Sequence, residues 1–251
     1  MYLDITPRPF SRRKLALCLM LSAVGAALFL SPKLSRIYGY DGGPWRLIDS
    51  GVYFFFLSCF EYSSLFASLT AFMCTRYFDV IALALAGLLY LYFFWPEPPA
   101  GKRRMLGIGL TMIFVGGLFT LAPELLGFGR HSPALYYSQC VGTLADFTDL
   151  PAKIASADSF PSDHGMVLVV LTGFLWRYFG RRGLLGGCLL FWLCTTPRFI
   201  GGAHWFSDIY AGSLGIGLLI LPWLLLTPVS DRLVTLAEKL FPLKAVQALF
   251  K

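Results

Sequence analysis

The chain has 251 residues, 57% of them hydrophobic and only 14% charged, where a soluble domain carries nearer a quarter charged. The apolar residues fall in long runs, which excludes a soluble globular or disordered chain and makes lipid the solvent for most of the surface. The formal charge of +7 does not describe a nucleic-acid binder, because the cations cluster at the edges of apolar runs: Arg8, Arg12, Arg13 and Lys14; Lys102, Arg103 and Arg104; Arg177, Arg181 and Arg182. Cytoplasmic loops of membrane proteins hold such clusters, whereas nucleic acid needs a basic stripe on a folded polar face.

Taken in chain order, the apolar runs predict an all-α, polytopic membrane helix bundle of about six transmembrane helices. The runs cover residues 15–31, ended by Pro32, then 80–95, 105–123, 164–179, 183–196 and 205–227. The first has a basic flank like a signal peptide, but lacks a small-x-small cleavage site and is followed by further spans. It reads as a retained anchor. The stretch 51–75 is apolar but interrupted by Glu61, Ser63 and Ser64. Counting it as a crossing would put both later basic loops outside, so it is expected to be interfacial or re-entrant on the far side. A single domain follows, with 1–14 cytoplasmic, 32–79 and 124–163 outside, and 228–251 a cytoplasmic tail. In that tail Leu233, Leu236, Leu240, Leu243 and Val246 recur near helical spacing, which suggests a helix lying on the inner leaflet.

Cys18, Cys188 and Cys194 fall in apolar runs and count as small hydrophobes. Cys59, Cys74 and Cys140 lie outside the spans with no CxxC or metal-ligand spacing. A Cys59–Cys74 disulfide is left open by their position on an oxidising face.

All three histidines, His131, His164 and His204, lie in or beside the two outward loops, and polar residues at membrane depth mark functional sites by default. His204 and Asp208 are four residues apart at the start of the last span. On one helix face such a carboxylate would hold one ring nitrogen protonated and leave the other free as nucleophile or base. An isolated pair of this kind is equally compatible with a purely structural role. Arg198 precedes His204 by six residues, across Gly201 and Gly202, so a tight turn would fold its phosphate-binding fork back beside the imidazole. Phe160-Pro161-Ser162-Asp163-His164 opens the fourth span. There Ser162, Asp163 and the free N–H groups of the helix start would both cap the helix and bind an anion, with His164 placed to protonate a leaving oxygen.

These residues resemble the type-2 phosphatidic acid phosphatase superfamily of lipid phosphatases and phosphotransferases. Its second motif, Pro-Ser-Gly-His, is matched by Pro161-Ser162-Asp163-His164. Its third, Ser-Arg, five residues, His, three residues, Asp, is matched by Arg198, His204 and Asp208, with Pro197 in place of the serine. The first motif, Lys, six residues, Arg-Pro, is degenerate: Leu125 stands for the lysine and Ser132 for the arginine, and only Arg130 and Pro133 remain nearby. Longer runs, among them 130–133, 158–166, 202–208 and 221–228, are similar to the subfamily that phosphorylates lipid A in Gram-negative inner membranes.

The resemblance implies an enzyme needing no cofactor and no metal, with its site at the periplasmic face and both termini cytoplasmic. Undecaprenyl pyrophosphate would be the donor and the 1-phosphate of lipid A the acceptor. His204 would be the nucleophile, oriented by Asp208, and His164 the general acid. Arg198, Ser162, Asp163 and Arg130 would hold phosphoryl oxygens, and His131 would contact substrate. Two alternatives stay open on the residues alone: a phosphatase of undecaprenyl pyrophosphate or another lipid, and a silent scaffold or flippase.

Overall fold

A computed structural model describes residues 10–37, 43–126 and 130–249. The elements are α1 (Arg12–Ile37), α2 (Pro44–Tyr62), α3 (Ser64–Met73), α4 (Arg76–Phe94), α5 (Pro99–Leu126), the single turn α6 (Pro133–Tyr136) and a 3₁₀ turn (Leu144–Asp146). After these come α7 (Asp163–Ile200), a π-helical turn (Asp208–Ser213), α8 (Leu214–Leu225), α9 (Val229–Glu238) and α10 (Leu243–Leu249). Among the described residues every regular element is helical. Five helices are long and apolar enough to cross a membrane: α1, α4, α5, α7 and the π turn continued by α8.

The 38 residues of α7 make two passages. Gly180 has φ 61° and ψ −142°, a conformation that only glycine adopts easily, and it bends the helix back on itself. The two arms then run against each other at backbone contact: a Cβ on Gly183 would lie 2.2 Å from the carbonyl oxygen of Leu175. Counting α7 twice, the described residues pass through the bundle six times. The hairpin matters because it returns the end of the second arm, with Arg198, to the start of the first, with His164.

α2, with 19 residues, is long enough for a span but is not among the helices apolar enough to be one, and α3 is too short. They break at Ser63, whose side chain accepts from Phe66 N and caps α3. Tyr53, Leu57, Phe60, Ala67 and Ala71 form a small core with Ala134, Leu144 and Ile154 of the long loop. That core fixes the loop over the ends of the spans. The main core is separate and runs down the bundle through Phe29, Phe93, Ile108, Phe174 and Ile216.

Several expectations are corrected. Pro32 does not end α1, which continues to Ile37 with the proline inside it. Pro197 likewise sits within α7, so Arg198 occupies a helical last turn instead of a loop. The disulfide left open between Cys59 and Cys74 is not formed, and the six cysteines are free. Cys74 is buried, donates to the carbonyl of Pro197 at 3.2 Å, and burial pushes its thiol up to about 12, so it is not poised for a disulfide with Cys59. The tail is more than a helix resting on lipid. α9 docks on the bundle with Val234 and Ser230 fully buried. Its Asp231 pairs with Arg104 and, at 2.7 Å, with the buried Arg177, while Glu238 pairs with Arg104 at 2.7 Å. Leu236 on α9 and Leu240 just beyond it remain exposed.

Candidate active site

At the end of the bundle opposite α9, four segments meet: the start of α7, its last turn and the loop beyond it, the start of α4, and the loop 130–159. Ser162 caps α7, accepting from Gly165 N at 3.3 Å, and is completely buried. Its carbonyl accepts from Ser213 Oγ at 2.8 Å and its N–H donates to the carbonyl of Asp208. These bonds fasten the first arm of α7 to the π turn. After α7 ends, Gly202 takes φ 82° and turns the chain. The N–H groups of Ala203 and His204 both then return to the carbonyl of Arg198.

His204 Nδ1 lies 2.9 Å from the carbonyl oxygen of Ser159. A carbonyl can only accept, so Nδ1 carries the proton and Nε2 keeps a free lone pair. Ser159 is held in turn by its N–H donating to the carbonyl of Arg130 at 2.7 Å. The other histidine belongs to a second cluster. His164 Nε2 is 3.1 Å from Asp79 Oδ1 and 3.2 Å from Arg198 Nη2, and Arg198 also pairs with Asp79. Arg198 is almost wholly buried, whereas Asp79 and His164 are partly exposed at the mouth.

Behind His204 lies a buried group of two carboxylates and one guanidinium. Arg130 donates to Asp208 Oδ1 from Nε at 2.8 Å and from Nη2 at 2.5 Å, reaches Asp49 Oδ2 at 3.3 Å, and bonds Ser207 Oγ. Asp49 accepts the N–H of Ser207 at 2.8 Å and its hydroxyl at 2.6 Å. Burial pushes the Asp49 carboxyl up, and the Arg130 charge and the Ser207 bonds oppose that push. Asp208 is fully buried and accepts the N–H of Trp205 at 2.7 Å.

Residues 105–231 match the PAP2 superfamily, and the matched segment contains both histidine motifs. The chain belongs to that superfamily. It is also 39% identical over 224 residues to the lipid A 1-diphosphate synthase of Escherichia coli (strain K12), covering 89% of this chain and 92% of that one. No solved structure matches it.

Among the PAP2 motif residues, His164, Arg198, His204 and Asp208 do gather at one end of the bundle, but with other partners than their spacing suggests. Asp208 Oδ2 is 3.7 Å from His204 Nδ1, beyond hydrogen-bond reach, and the carbonyl of Ser159 takes the place expected for it. His204 precedes the helix instead of lying on it, so the four-residue rule does not apply. The Arg198 fork lies against His164 and not His204. Arg130 is committed to carboxylates instead of being open to phosphate. Ser162 is spent on capping and Asp163 is exposed. The ring of His131 is exposed too, and the residue enters the site only through its carbonyl, which accepts from Trp205 Nε1 at 2.7 Å. Ser132, where the first PAP2 motif has arginine, is fully buried and bonds both the carbonyl of Ile154 and the N–H of Ser156, tying together the two ends of the loop. The side chain of Leu125 and residues 127–129 lie outside the described residues.

Asp49 and Asp79 were missed. Both precede the PAP2 segment, and neither has a motif spacing. The available signal was a lone carboxylate at the edge of an apolar run on the outward side, as at Asp79 before Val80.

Proposed function

We propose that this protein transfers a phosphoryl group from undecaprenyl pyrophosphate to lipid A 1-phosphate, giving undecaprenyl phosphate and lipid A 1-diphosphate, at the periplasmic face of a Gram-negative inner membrane. The observation that carries the chemistry is the protonation pattern of His204, whose Nε2 lone pair is left free beside an arginine–histidine anion site. The name of the Escherichia coli relative supports the choice of acceptor.

In the first half-reaction Nε2 attacks the distal phosphorus, the bond from that phosphorus to the bridging oxygen breaks, and undecaprenyl phosphate leaves with the electron pair. Arg198 neutralises the phosphoryl oxygens and His164 supplies a proton to the departing side. In the second, an oxygen of the lipid A 1-phosphate attacks the phosphohistidine, a new phosphoanhydride forms, and His204 is released. Given donor alone, the purified protein should release inorganic phosphate slowly. Adding lipid A should divert that phosphate into a lipid A species heavier by one phosphate, seen by mass spectrometry. Rapid release that lipid A neither diverts nor alters would establish a phosphatase instead.

Asp79 holds the place of a substrate oxygen in this reading, since Arg198 and His164 already grip its carboxylate. The phosphoryl group must displace it. Asp79→Asn should therefore lower the donor KM about fivefold, about 1 kcal/mol for a partly exposed pair. A higher KM would show that Asp79 instead helps to hold the donor.

The proposed orientation is tested through native Cys140, exposed on the loop above the site. A membrane-impermeant maleimide should label it in spheroplasts. In a Cys140→Ser background, Ala100→Cys, at the opposite end, should label only after lysis. The reverse pattern would place the site on the cytoplasmic side.

A further inference from the structure

We infer that Asp49 is a positioning residue for the nucleophile, supplying the unbalanced negative charge that stabilises His204 as positive charge develops on its ring. The inference rests on His204 as nucleophile.

Asp208 alone cannot supply that charge. Its carboxylate is bonded twice by Arg130 at 2.8 and 2.5 Å, and a carboxylate so paired is neutralised, presenting little net field to a third group. Asp49 changes the sum: two carboxylates and one guanidinium leave a net charge of one negative. The group is held out of solvent, with side-chain exposures of 2% for Asp49, 0% for Asp208 and 11% for Arg130. Its nearest oxygen is 3.7 Å from His204 Nδ1. At low dielectric a net charge at such range acts strongly. The hydrogen bonds around Asp49 are those of an ionised carboxylate: Ser207 N–H points to one oxygen, and Ser207 Oγ and Arg130 lie against the other.

When Nε2 bonds to phosphorus, the Nδ1-protonated ring becomes cationic. The group behind it then stabilises the product of that step more than the neutral ring before it. On the mouth side, among the described residues, stands the charged cluster of His164, Arg198 and Asp79. Its makeup is unchanged by a substitution at Asp49. Asp49 stands on α2, outside the family segment 105–231, so no motif of that segment reports it.

The test is the pH profile of donor cleavage by the full-length protein in detergent, a step common to transfer and hydrolysis and so readable whichever acceptor is right. Protonation of Nε2 removes the lone pair that attacks phosphorus, and a negative neighbour favours the imidazolium form, so taking that charge away should shift the acidic limb of the profile. Asp49→Asn should move that acidic limb to lower pH by about one unit and lower the plateau kcat about tenfold, with donor KM unchanged. The double variant Asp49→Asn, Arg130→Gln restores one net negative charge through Asp208, and its limb should return toward the wild-type position. Ser207→Ala removes the 2.6 Å bond but keeps the Asp49 charge, so its limb should stay at the wild-type pH. Should Asp49→Asn fail to accumulate folded, Asp49→Ser carries the same test, and the same shift of the limb is expected of it. A limb unmoved in Asp49→Asn, or moved in Ser207→Ala, would reduce Asp49 to a structural anchor and overturn the inference. Turnover retained in His204→Ala would instead overturn the nucleophile itself.

Discussion

His204→Ala should abolish donor cleavage, a fall on the order of 10⁴ to 10⁶ if it is the covalent nucleophile. The effect should be this large because no neighbour can take over. His164 is engaged by Asp79 and Arg198, and the ring of His131 is exposed, its carbonyl alone bonded to Trp205. Folding should survive, since the ring makes one hydrogen bond to a backbone carbonyl and is not in the apolar core. Radiolabel from the distal phosphate of the donor should appear on the wild-type protein as an acid-labile, base-stable adduct, accumulate in His164→Ala, and be absent from His204→Ala. Turnover within tenfold of wild type in His204→Ala would end the phosphohistidine mechanism.

Arg130→Met should have the largest effect on stability. Removing one partner of a buried ion pair leaves its charge uncompensated and costs about 3–5 kcal/mol, and here two carboxylates are stranded at once. Asp49 and Asp208 would face each other with no cation between them, one drawing α2 and the other the π turn out of place. The apparent melting temperature in detergent should drop by roughly 10 °C, and donor cleavage should fall with it, because the backbone carbonyl of residue 130 that holds Ser159 is no longer anchored by its own side chain. Arg130→Lys keeps the charge but not the fork that spans both carboxylates, so it should fall between the two. A Met variant that melts and turns over like the wild type would show the cluster to be dispensable.

These effects follow from contacts that the sequence made visible to different degrees. The spans were legible because each is a long apolar run bounded by cations, glycine or proline, and the α7 hairpin was legible as two runs either side of Arg181 and Arg182. The histidine motifs were legible because their spacing is short. What carried over poorly was pairing. The spacing of His204 and Asp208 suggests a helix face, but the helix begins only after Trp205 and opens into π geometry at Asp208, so the two side chains do not share a face. Asp49 and Asp79 reach the site from helices 81 and 119 residues away from Arg130 and Arg198. Only the folded bundle brings such distant residues together. Arg130 was read as a phosphate ligand because its buried counterions are equally distant.

The arginines at the other end of the bundle have a comparable double life. In the orientation proposed above, Arg104 and Arg177 belong to the clusters that orient the loops during insertion, when a free positive charge holds a loop on the cytoplasmic side. In the finished fold both are paired with Asp231, and Arg177 is sealed in with 2% exposure. Asp231 lies on α9, which follows the last of the spans among the described residues. In that orientation the charges stay open while the topology is decided and are silenced only once α9 has emerged. Insertion and final packing then use the same side chains in sequence, and α9 makes the first decision permanent.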